Sequence, residues 1–457
     1  MINLKILIIL MSLLLFNTPQ TYAQKAKETS DYKLEYLNLK WWENFEDNIL
    51  NEYLIALYNN NQDLKIATLK TKQSKEIVKQ AFANQLPQLY FNGNIQREIS
   101  SSTLKMGEVT IPDYNQARYL LPLTMSYEVD IWGENYLKTK SMKKQTEMAK
   151  EDERAVYISV TSNFVSDYYT LICLDKLIKN QKELLELESQ IVQMEEAKYN
   201  SGLSSIAELL TEKQALLKIE ERYNSLLEKE DLIRNQLIVQ LGDRYNNKIQ
   251  RKNYDEIPSI RLPHEISTEA IQYRPDIKKS ELYLEKAGID VKIARRDFFP
   301  KFTIYGQAGF NAYDWCKIFA PHTFMSAIGV APSLDLFTGG YKKSKLRYNK
   351  LEYEKAKQIY DKTILTSIQE LNDAMMSINI ANSNIQKSEQ RFNIEKEKLE
   401  LANNQFTIGA KSKLENLKDQ QTLLIIEEDL VMNKINAIIA SINLYKAIGG
   451  RDYTEAL

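Results

Sequence analysis

Hydrophobic residues follow two different periods along this chain, and the first period is two residues. Between Tyr119 and Ile131 every odd position is apolar or aromatic, whereas polar residues such as Thr124 and Ser126 are found only at even positions. Residues 324–336 alternate in the same way, with smaller side chains on the second face. Such alternation predicts β-strands.

Two further stretches, 89–95 and 302–310, alternate likewise, and each follows a proline. The pattern therefore predicts two β-hairpins with four strands in all. Their tips, over 97–118 and 311–323, are long and mostly polar.

These hairpins fit either membrane strands or a soluble β-domain. Their strand lengths approach the ~9–11 residues of a tilted membrane strand. Trp132 and Phe337 close the second strand of each hairpin, where an interfacial aromatic girdle lies in membrane proteins. Because membrane strands give weak sequence signals, the alternation by itself leaves both readings open.

The second period is three to four residues, and it follows each hairpin. No proline occurs from Leu123 to Ile257 or after Pro332, which favours long helices over 134–199 and 341–406. One face of the first long helix is marked by apolar residues, namely Tyr157, Val160, Phe164, Tyr168, Leu171, Leu174 and Ile178.

A glycine-containing turn and a shorter return helix follow each long helix. The return helices are predicted to start at two capping boxes, Ser205-x-x-Glu208 and Ser412-x-x-Glu415. Each half of the chain therefore ends in an α-hairpin.

Short motifs of the first half recur in the second half at a nearly constant offset. The matched pairs are Asp63-Leu64 with Asp276-Ile277, Leu86-Pro87 with Phe299-Pro300, Gly133 with Gly340, Tyr199-x-x-Gly202 with Phe406-x-x-Gly409, and Leu241-Gly242 with Ile448-Gly449. The offset shortens between Pro87 and Gly133, which places an insertion in a loop of the first copy. The chain thus consists of two copies of one unit.

Composition excludes several classes of function. Lys and Arg (60) balance Asp and Glu (61), so nucleic acid is not an expected partner. Two histidines and two cysteines are too few for a common zinc site, and Cys173 and Cys316 lie in regions too different to pair. No P-loop, dinucleotide fingerprint or Gly-x-Ser-x-Gly motif occurs. We therefore expect no enzyme activity, no metal and no cofactor.

The N-terminus has the pattern of an export signal. Lys5 precedes an apolar stretch over 6–16, and the Thr-Tyr-Ala at 21–23 resembles a signal-peptidase site. The stretch is shorter than the ~20 residues of a membrane-spanning helix, so a cleaved signal peptide is expected rather than an N-terminal anchor. No cysteine lies near the cut to carry a lipid.

Four membrane strands cannot close within one chain, because an open sheet edge in lipid leaves backbone groups unsatisfied. Closure would require several chains. Helices longer than the ~30 Å core of a bilayer must project into an aqueous compartment. A barrel that is continued by a helical tunnel is a conduit.

Motifs along nearly the whole mature chain resemble one family. They are Trp41-Trp42 with Phe45 and Asp47, Asn60-Asn61-Gln62-Asp63-Leu64, Glu128-Val129-Asp130-Ile131-Trp132-Gly133, Tyr199-Asn200-Ser201-Gly202-Leu203-Ser204, Arg274-Pro275-Asp276-Ile277, Asp297-Phe298-Phe299-Pro300, Asp335-Leu336-Phe337-Thr338-Gly339-Gly340 and Phe406-Thr407-Ile408-Gly409. In order and duplication they resemble the outer-membrane factor (TolC-like) family, the exit ducts of tripartite efflux pumps and type I secretion systems. The drug-efflux lipoprotein branch (NodT/OprM-like) is the most similar.

The resemblance implies a mainly α-helical fold with a membrane β-barrel. A homotrimer would share a 12-stranded β-barrel in the lipid of the cell outer membrane, continued by a periplasmic α-helical barrel. The implied function is multidrug efflux: passive conduction of small molecules from an inner-membrane transporter (RND-type or ABC) and a periplasmic membrane-fusion adaptor to the outside. Type I protein secretion is an alternative, and long amphipathic helices alone would also suit a periplasmic coiled-coil adaptor or scaffold.

The implied organisation divides the chain into consecutive segments. They are a signal peptide (1–23), an N-terminal equatorial segment (24–46), repeat 1 (47–242, with a helix, β-hairpin 88–132 and α-hairpin 134–242), an equatorial linker (243–263), repeat 2 (264–449, with a helix, β-hairpin 301–337 and α-hairpin 341–448) and a C-terminal tail (450–457).

In the resembled family the α-hairpin tips meet the adaptor, and residues beside the turns narrow the pore. The implied adaptor-contacting tips are Gly202, Leu203, Ser204, Gly409, Ala410 and Lys411. The implied pore constriction comprises Phe406, Lys411, Glu415 and Glu208. Where related ducts carry an aspartate after the Glu415 position, this chain has Lys418 with Asp419 beside it. Capping alone would also explain the two glutamates, and turn geometry alone the tip glycines.

Overall fold

The structure is a computed structural model that describes Trp42 and residues 45–100, 105–106, 109–110, 113–242, 248–257 and 268–450. The expected signal peptide, nearly all of the N-terminal equatorial segment, most of the equatorial linker and all but the first residue of the C-terminal tail lie outside the described residues.

Helices dominate the described chain. The α-helices are α1 (Asn48–Asn60), α2 (Gln62–Ala83), α3 (Glu134–Asn200), α4 (Ile206–Gln240), α5 (Pro275–Arg296), α6 (Tyr341–Thr407) and α7 (Lys413–Ala447). Short 3-10 turns lie at Tyr254–Glu256, Thr268–Tyr273, Trp315–Lys317 and Pro321–Thr323. Across the residues that the structure describes, no helix is both long and apolar enough to cross a membrane.

The strands form one antiparallel sheet and a small separate hairpin. The strands are β1 (Gln88–Phe91), β2 (Asn94–Ser100), β3 (Lys105–Met106), β4 (Val109–Thr110), β5 (Tyr114–Val129), β6 (Lys301–Ala312) and β7 (Phe324–Ser333). In the sheet β5 pairs with β1 and β2 on one side and with β6 on the other, and β7 pairs with β6. The hairpin β3–β4 lies in the loop between β2 and β5.

Each repeat is a β-hairpin followed by an α-hairpin of a 67-residue and a 35-residue helix. This arrangement confirms the predicted mainly helical fold class with two structural repeats. The boundaries given above for the domains stay a prediction.

The first hairpin differs in detail from its prediction. Its first strand is divided into β1 and β2, and β5 starts at Tyr114, within the stretch predicted as a polar tip. The interruption lies opposite Pro122, whose carbonyl accepts a hydrogen bond from Asn92 N at 3.3 Å. Because proline lacks an N–H, the ladder cannot continue through this position on both sides.

The other neighbour of Pro122 in the sheet is Gly309 of β6. A Cβ added to Gly309 would lie 2.2 Å from the carbonyl oxygen of Leu121 and 2.7 Å from Cα of Pro122. Since real Cβ atoms do not approach backbone so closely, only glycine fits here.

The two aromatic residues that were expected to close strands lie beyond them. β5 ends at Val129, and Trp132 turns back to stack on Phe299 with the ring centroids 4.8 Å apart. The indole Nε1 donates to the carbonyl of Pro300 at 2.7 Å. Phe337, in contrast, follows the end of β7 and is 89% exposed. Trp132 is therefore a structural anchor between the repeats, which the strand pattern did not indicate.

The chain divides into two compact units, and each takes segments from both repeats. One unit comprises residues 66–153 and 275–367, and it contains the sheet with the helical segments beside it. The other comprises the described parts of residues 1–65, 154–274 and 368–457, and it contains the main hydrophobic core.

Packing in the unit with the main hydrophobic core explains the N-terminal motif of Trp42, Phe45 and Asp47. Trp42 and Phe45 are 1% and 2% exposed, and Trp42 packs edge-on against Tyr445 at 5.2 Å. Asp47 caps α1 through Oδ1, which accepts from Ile49 N at 3.0 Å, while its Oδ2 accepts from the hydroxyl of Tyr168 at 3.1 Å. In the N-terminal motif, Trp42 and Phe45 are therefore core residues, and Asp47 caps a helix.

Equivalent motifs of the two repeats hold the ends of the two return helices. Asn61 Nδ2 donates to the carbonyl of Gln240 at 2.9 Å, and Arg274 Nη1 donates to the carbonyl of Ala447 at 3.0 Å. Both carbonyls belong to the last residue of a return helix, where backbone acceptors lack helical partners. The repeated motifs satisfy these acceptors with different side chains.

Candidate functional site

The first α-hairpin turns at a glycine whose conformation other residues rarely adopt. Gly202 has φ +74°, in the left-handed region. Its N–H donates to the carbonyl of Tyr199 at 2.9 Å, and the N–H of Leu203 donates to the carbonyl of Lys198 at 2.8 Å. This pair of bonds is a Schellman motif, which ends α3 at a defined residue.

The second α-hairpin repeats this turn. Gly409 has φ +75°. Its N–H donates to the carbonyl of Phe406 at 3.0 Å, and the N–H of Ala410 donates to the carbonyl of Gln405 at 2.8 Å. A Cβ added to either glycine would meet nothing within 4 Å, so the requirement for glycine is conformational and not steric.

Both return helices begin at complete capping boxes. Ser205 Oγ accepts from Glu208 N at 3.2 Å, and Glu208 Oε2 accepts from Ser205 N at 3.0 Å. In the second repeat the corresponding bonds between Ser412 and Glu415 measure 3.2 Å and 2.9 Å. The capping role of the two glutamates is therefore directly visible.

Hydrogen bonds at the helix starts lower the pKa of both glutamates. The hydroxyl of Ser204 lowers the pKa of Glu208, and the N–H of Ser205 lowers it further. The hydroxyl and N–H of Ser412 lower the pKa of Glu415. Each side chain is exposed, so its charge is available to solvent.

Two lysines near the second tip form ion pairs. Lys411 forms an ion pair with Asp419, which lies more than one turn into α7. Lys418 forms an ion pair with Glu212 of α4 at 2.8 Å. Lys418 thus connects the second α-hairpin to the first.

Apolar side chains project from both turns. Leu203 is 80% exposed and Ile408 is 79% exposed, and Phe406 is 40% exposed. The predicted tip residues Gly202, Gly409 and Ala410 are exposed as well, whereas Ser204 and Lys411 are half-buried. The predicted tip positions therefore form two exposed turns with an apolar side chain on each.

A polar network away from the turns was not anticipated from the sequence. It joins α7 to α3 and α4: Gln421 donates to Glu188 at 2.6 Å, Asn180 donates to Glu427 at 2.8 Å, and Arg222 donates to Glu428 at 2.5 Å. Glu188 is 3% exposed, and burial raises its pKa although Gln421 opposes the shift.

Nothing about these partners is visible along the chain, because each pair joins residues of different repeats. The sequence offers one signal: a charged residue lies at a helix position where the period of three to four residues predicts an apolar side chain. A charge at such a position indicates a buried group with a partner.

Within the described chain, no group of three or more His, Cys, Asp or Glu side chains is placed to hold a metal ion.

Comparison with known proteins gives one family. The family model described as "Outer membrane efflux protein" matches residues 55–243 and again residues 266–450. The two matches correspond to the two repeats, and together they span most of the chain.

Individual relatives agree with this match. The toluene efflux pump outer membrane protein TtgC of Pseudomonas putida is 24% identical over 420 residues, which cover 91% of this chain and 86% of that protein. The pyoverdine export outer membrane protein OpmQ of Pseudomonas aeruginosa is 23% identical over 90% of this chain and 87% of its own.

Among solved structures, the CmeC outer membrane channel of Campylobacter jejuni has the same fold. It superposes with a TM-score of 0.82 and 22% identity, covering 92% of this chain and 90% of that one.

Proposed function

The chain belongs to the outer membrane efflux protein family, and on that premise we propose that it is the exit duct of a tripartite efflux pump. It conducts small molecules passively from an inner-membrane transporter and a periplasmic adaptor across the cell outer membrane. The resemblance found in the sequence motifs and the match of the family model to both repeats support the same assignment.

The observation that carries the proposal is the open sheet. Within the described residues, β7 on one side and β1 with β2 on the other have a neighbour on one flank only. A strand edge without a partner is a template for another chain. When opposite edges of identical copies pair head to tail, the assembly is a closed ring if the rotation between neighbouring copies closes, and an open filament otherwise. With β1 and β2 counted as one interrupted strand, three copies give the 12-stranded closed sheet that the family resemblance implies.

The class of cargo follows from the relatives by analogy. The names of two of them specify toluene efflux and pyoverdine export, both of which concern small molecules. We extend this class to the present chain, and we assign the chemical selection of cargo to the transporter, because no enclosed binding site lies among the described tip residues.

The two tips are assigned to the adaptor. Gly202, Leu203 and Ser204 with Gly409, Ala410 and Lys411 form the contact, and the exposed apolar side chains of Leu203 and Ile408 support this role. Phe406, Lys411, Glu415 and Glu208 are assigned to the narrowest part of the pore, with the ionised carboxylates as its charge.

The assembly is tested by the mass of the detergent-solubilised particle and by membrane fractionation. We expect three copies per particle, in the outer-membrane fraction. A stable monomer, or a particle that stays soluble, would contradict the duct. Loss of the chain should raise cellular retention of small-molecule pump substrates, and an effect on exported proteins alone would favour type I secretion instead.

The adaptor contact is tested by single cysteines at Leu203 and Ile408 in a Cys173→Ala, Cys316→Ser background. A photoactivated crosslinker on either tip should capture the adaptor in intact cells. A matched control at exposed Leu217, farther along α4, should not.

A further inference from the structure

A groove of about 900 Å³ lies on α5 between α3 and α6, in the unit that contains the sheet. Its volume is within the range of sites for small organic ligands. Lys140 and Lys144 of α3, Lys292 and Arg295 of α5, and Lys350 of α6 line its walls. The groove has no part in the tips or in the capping boxes.

Most of these cations lack a partner in the protein. Within the described chain, the side chains of Lys140, Lys292, Arg295 and Lys350 form no hydrogen bond or ion pair. Lys144 is different, because it bridges Glu147 and Glu285, each at 2.8 Å. That bridge pairs the carboxylate of Glu285 on the groove wall, although Glu285 shares the single ammonium with Glu147.

One carboxylate remains to oppose the free cations. Glu354 of α6 lines the groove without a described cation partner. Four unpaired cations against one unpaired carboxylate leave an excess of positive charge, and three separate helices supply it. A single solvated helix face would not bring cations of three elements to one cavity.

Part of the groove lining, here called its floor, is apolar. Leu284, Ile289 and Val291 contribute aliphatic side chains, and the ring of Tyr353 lies over Gly288. A Cβ at Gly288 would be 3.5 Å from that ring, an ordinary van der Waals distance, so the tyrosine packs directly against α5. An apolar floor beneath basic walls fits an amphiphilic anion better than a hydrated inorganic ion.

The groove lies close to the ends of the strands. Lys140 is about 9 Å along α3 from its start and Lys350 about 14 Å along α6, at 1.5 Å per residue. Arg295 lies at the end of α5, shortly before β6 begins at Lys301. If the sheet is in the membrane, as the proposed function has it, these lysines lie roughly 9–14 Å beyond the helix starts on the aqueous side, within reach of the lipid headgroups.

We propose that this groove binds the headgroup of an anionic phospholipid, with the phosphate among Lys140, Lys292 and Lys350. The glycerol and the first acyl carbons lie on the apolar floor against Tyr353. Basic residues at a membrane surface attract anionic lipids additively, so several cations in one cavity give a preference over zwitterionic lipid. The inference rests on the proposed function for the membrane position of the sheet.

The test is native mass spectrometry of the full-length particle in detergent, with phosphatidylglycerol or phosphatidylcholine added at equal concentration. Wild-type protein should retain phosphatidylglycerol at least about fivefold more strongly. The Lys140→Gln, Lys292→Gln, Lys350→Gln triple variant should lose that preference. The matched control is Lys70→Gln, Lys72→Gln, Lys75→Gln on α2, which removes the same charge from exposed positions and should behave as wild type.

Three results would overturn the proposal. The first is equal retention of both lipids by the wild type, and the second is an unchanged preference in the groove variant. The third is displacement of phosphatidylglycerol by an equal concentration of inorganic phosphate, which would make the groove a site for soluble anions. The oligomeric mass is read in the same spectra. A trimer without lipid preference therefore contradicts the lipid site alone, whereas a monomer contradicts the duct.

Discussion

Lys418 of α7 contacts Glu212 of α4 at 2.8 Å, although the two residues are 206 positions apart in the chain. The same interval separates Arg222 from its partner Glu428. Two pairs at one interval mean that the return helices run side by side in parallel. Residues at nearly equivalent positions of the two repeats therefore face each other. The internal repeat thus brings these charged side chains together.

We expect the Lys418–Glu212 pair to couple the two α-hairpins weakly. Its side chains are 50% and 20% exposed, and exposed ion pairs contribute about 0.2–1 kcal/mol. A double-mutant cycle of Lys418→Gln and Glu212→Gln, measured by unfolding of the trimer, should give a coupling energy in that range that falls with salt. Lys413→Gln, at an exposed position of the same helix, is the control. Zero coupling at low salt would show that the contact does not join the hairpins.

The tip glycines should tolerate asparagine better than valine. Both have φ near +75°, where an L-residue with a β-branch is strained by roughly 1–2 kcal/mol. In Gly202→Val and Gly409→Val we expect efflux to fall while the yield of trimer stays normal. Gly409→Asn should be close to wild type, because asparagine enters this region more readily. Unchanged efflux in both valine variants would remove the tips from the adaptor interface.

Glu415 should have two separable roles. Glu415→Gln keeps the shape and much of the cap but removes the charge, so we expect weaker cation preference in single-channel recordings and little change in thermal stability. Ser412→Ala, which removes the cap hydroxyl, should instead cost about 1 kcal/mol of stability. If Glu415→Gln leaves the cation preference at the wild-type value, the residue is a cap only.

Burial of Glu188 should make the unit with the main hydrophobic core less stable as pH rises. Its folded pKa is raised above the unfolded value, so between the two values the folded state binds more protons. Stability is therefore highest below the ordinary carboxyl pKa and falls as pH increases through the raised one. Besides Gln421, the groups around it are Glu212 and Lys418.

Glu188→Gln removes this ionisation while retaining an acceptor for Gln421. It should raise the free energy of unfolding at neutral pH and flatten its pH dependence. Glu186→Gln, at an exposed neighbouring position, should do neither. A variant of Glu188 that is less stable than wild type at neutral pH would show that the ionised form is the favoured one.

Patterns with a short period were sufficient to locate most elements of the fold. The absence of proline between Pro122 and Pro258 and again after Pro332, the glycine at each turn and the two Ser-x-x-Glu boxes mark the α-hairpins, and the structure has Schellman turns and capping boxes at those residues. These features are local, so the sequence contains all the groups that form them.

Features that depend on distant partners were not accessible in this way. The break between β1 and β2 depends on Pro122 in another strand, and the position of Trp132 depends on Phe299 and Pro300. In the tips, the pairing of Lys418 with Glu212 joins two repeats. No pattern within one repeat specifies which residue of the other repeat will be opposite.

The contact of Gly309 with the backbone at Pro122 also determines how the two halves of the sheet are aligned. β5 and β6 belong to different repeats, and no hairpin turn fixes their register. If β6 slid by one residue, Ala308 or Phe310 would bring a Cβ to the place where only a glycine fits, and every inward side chain would turn outward. The alignment is thus encoded in the strands themselves. Two halves of this chain produced as separate polypeptides would contain all the information they need to join in the native register.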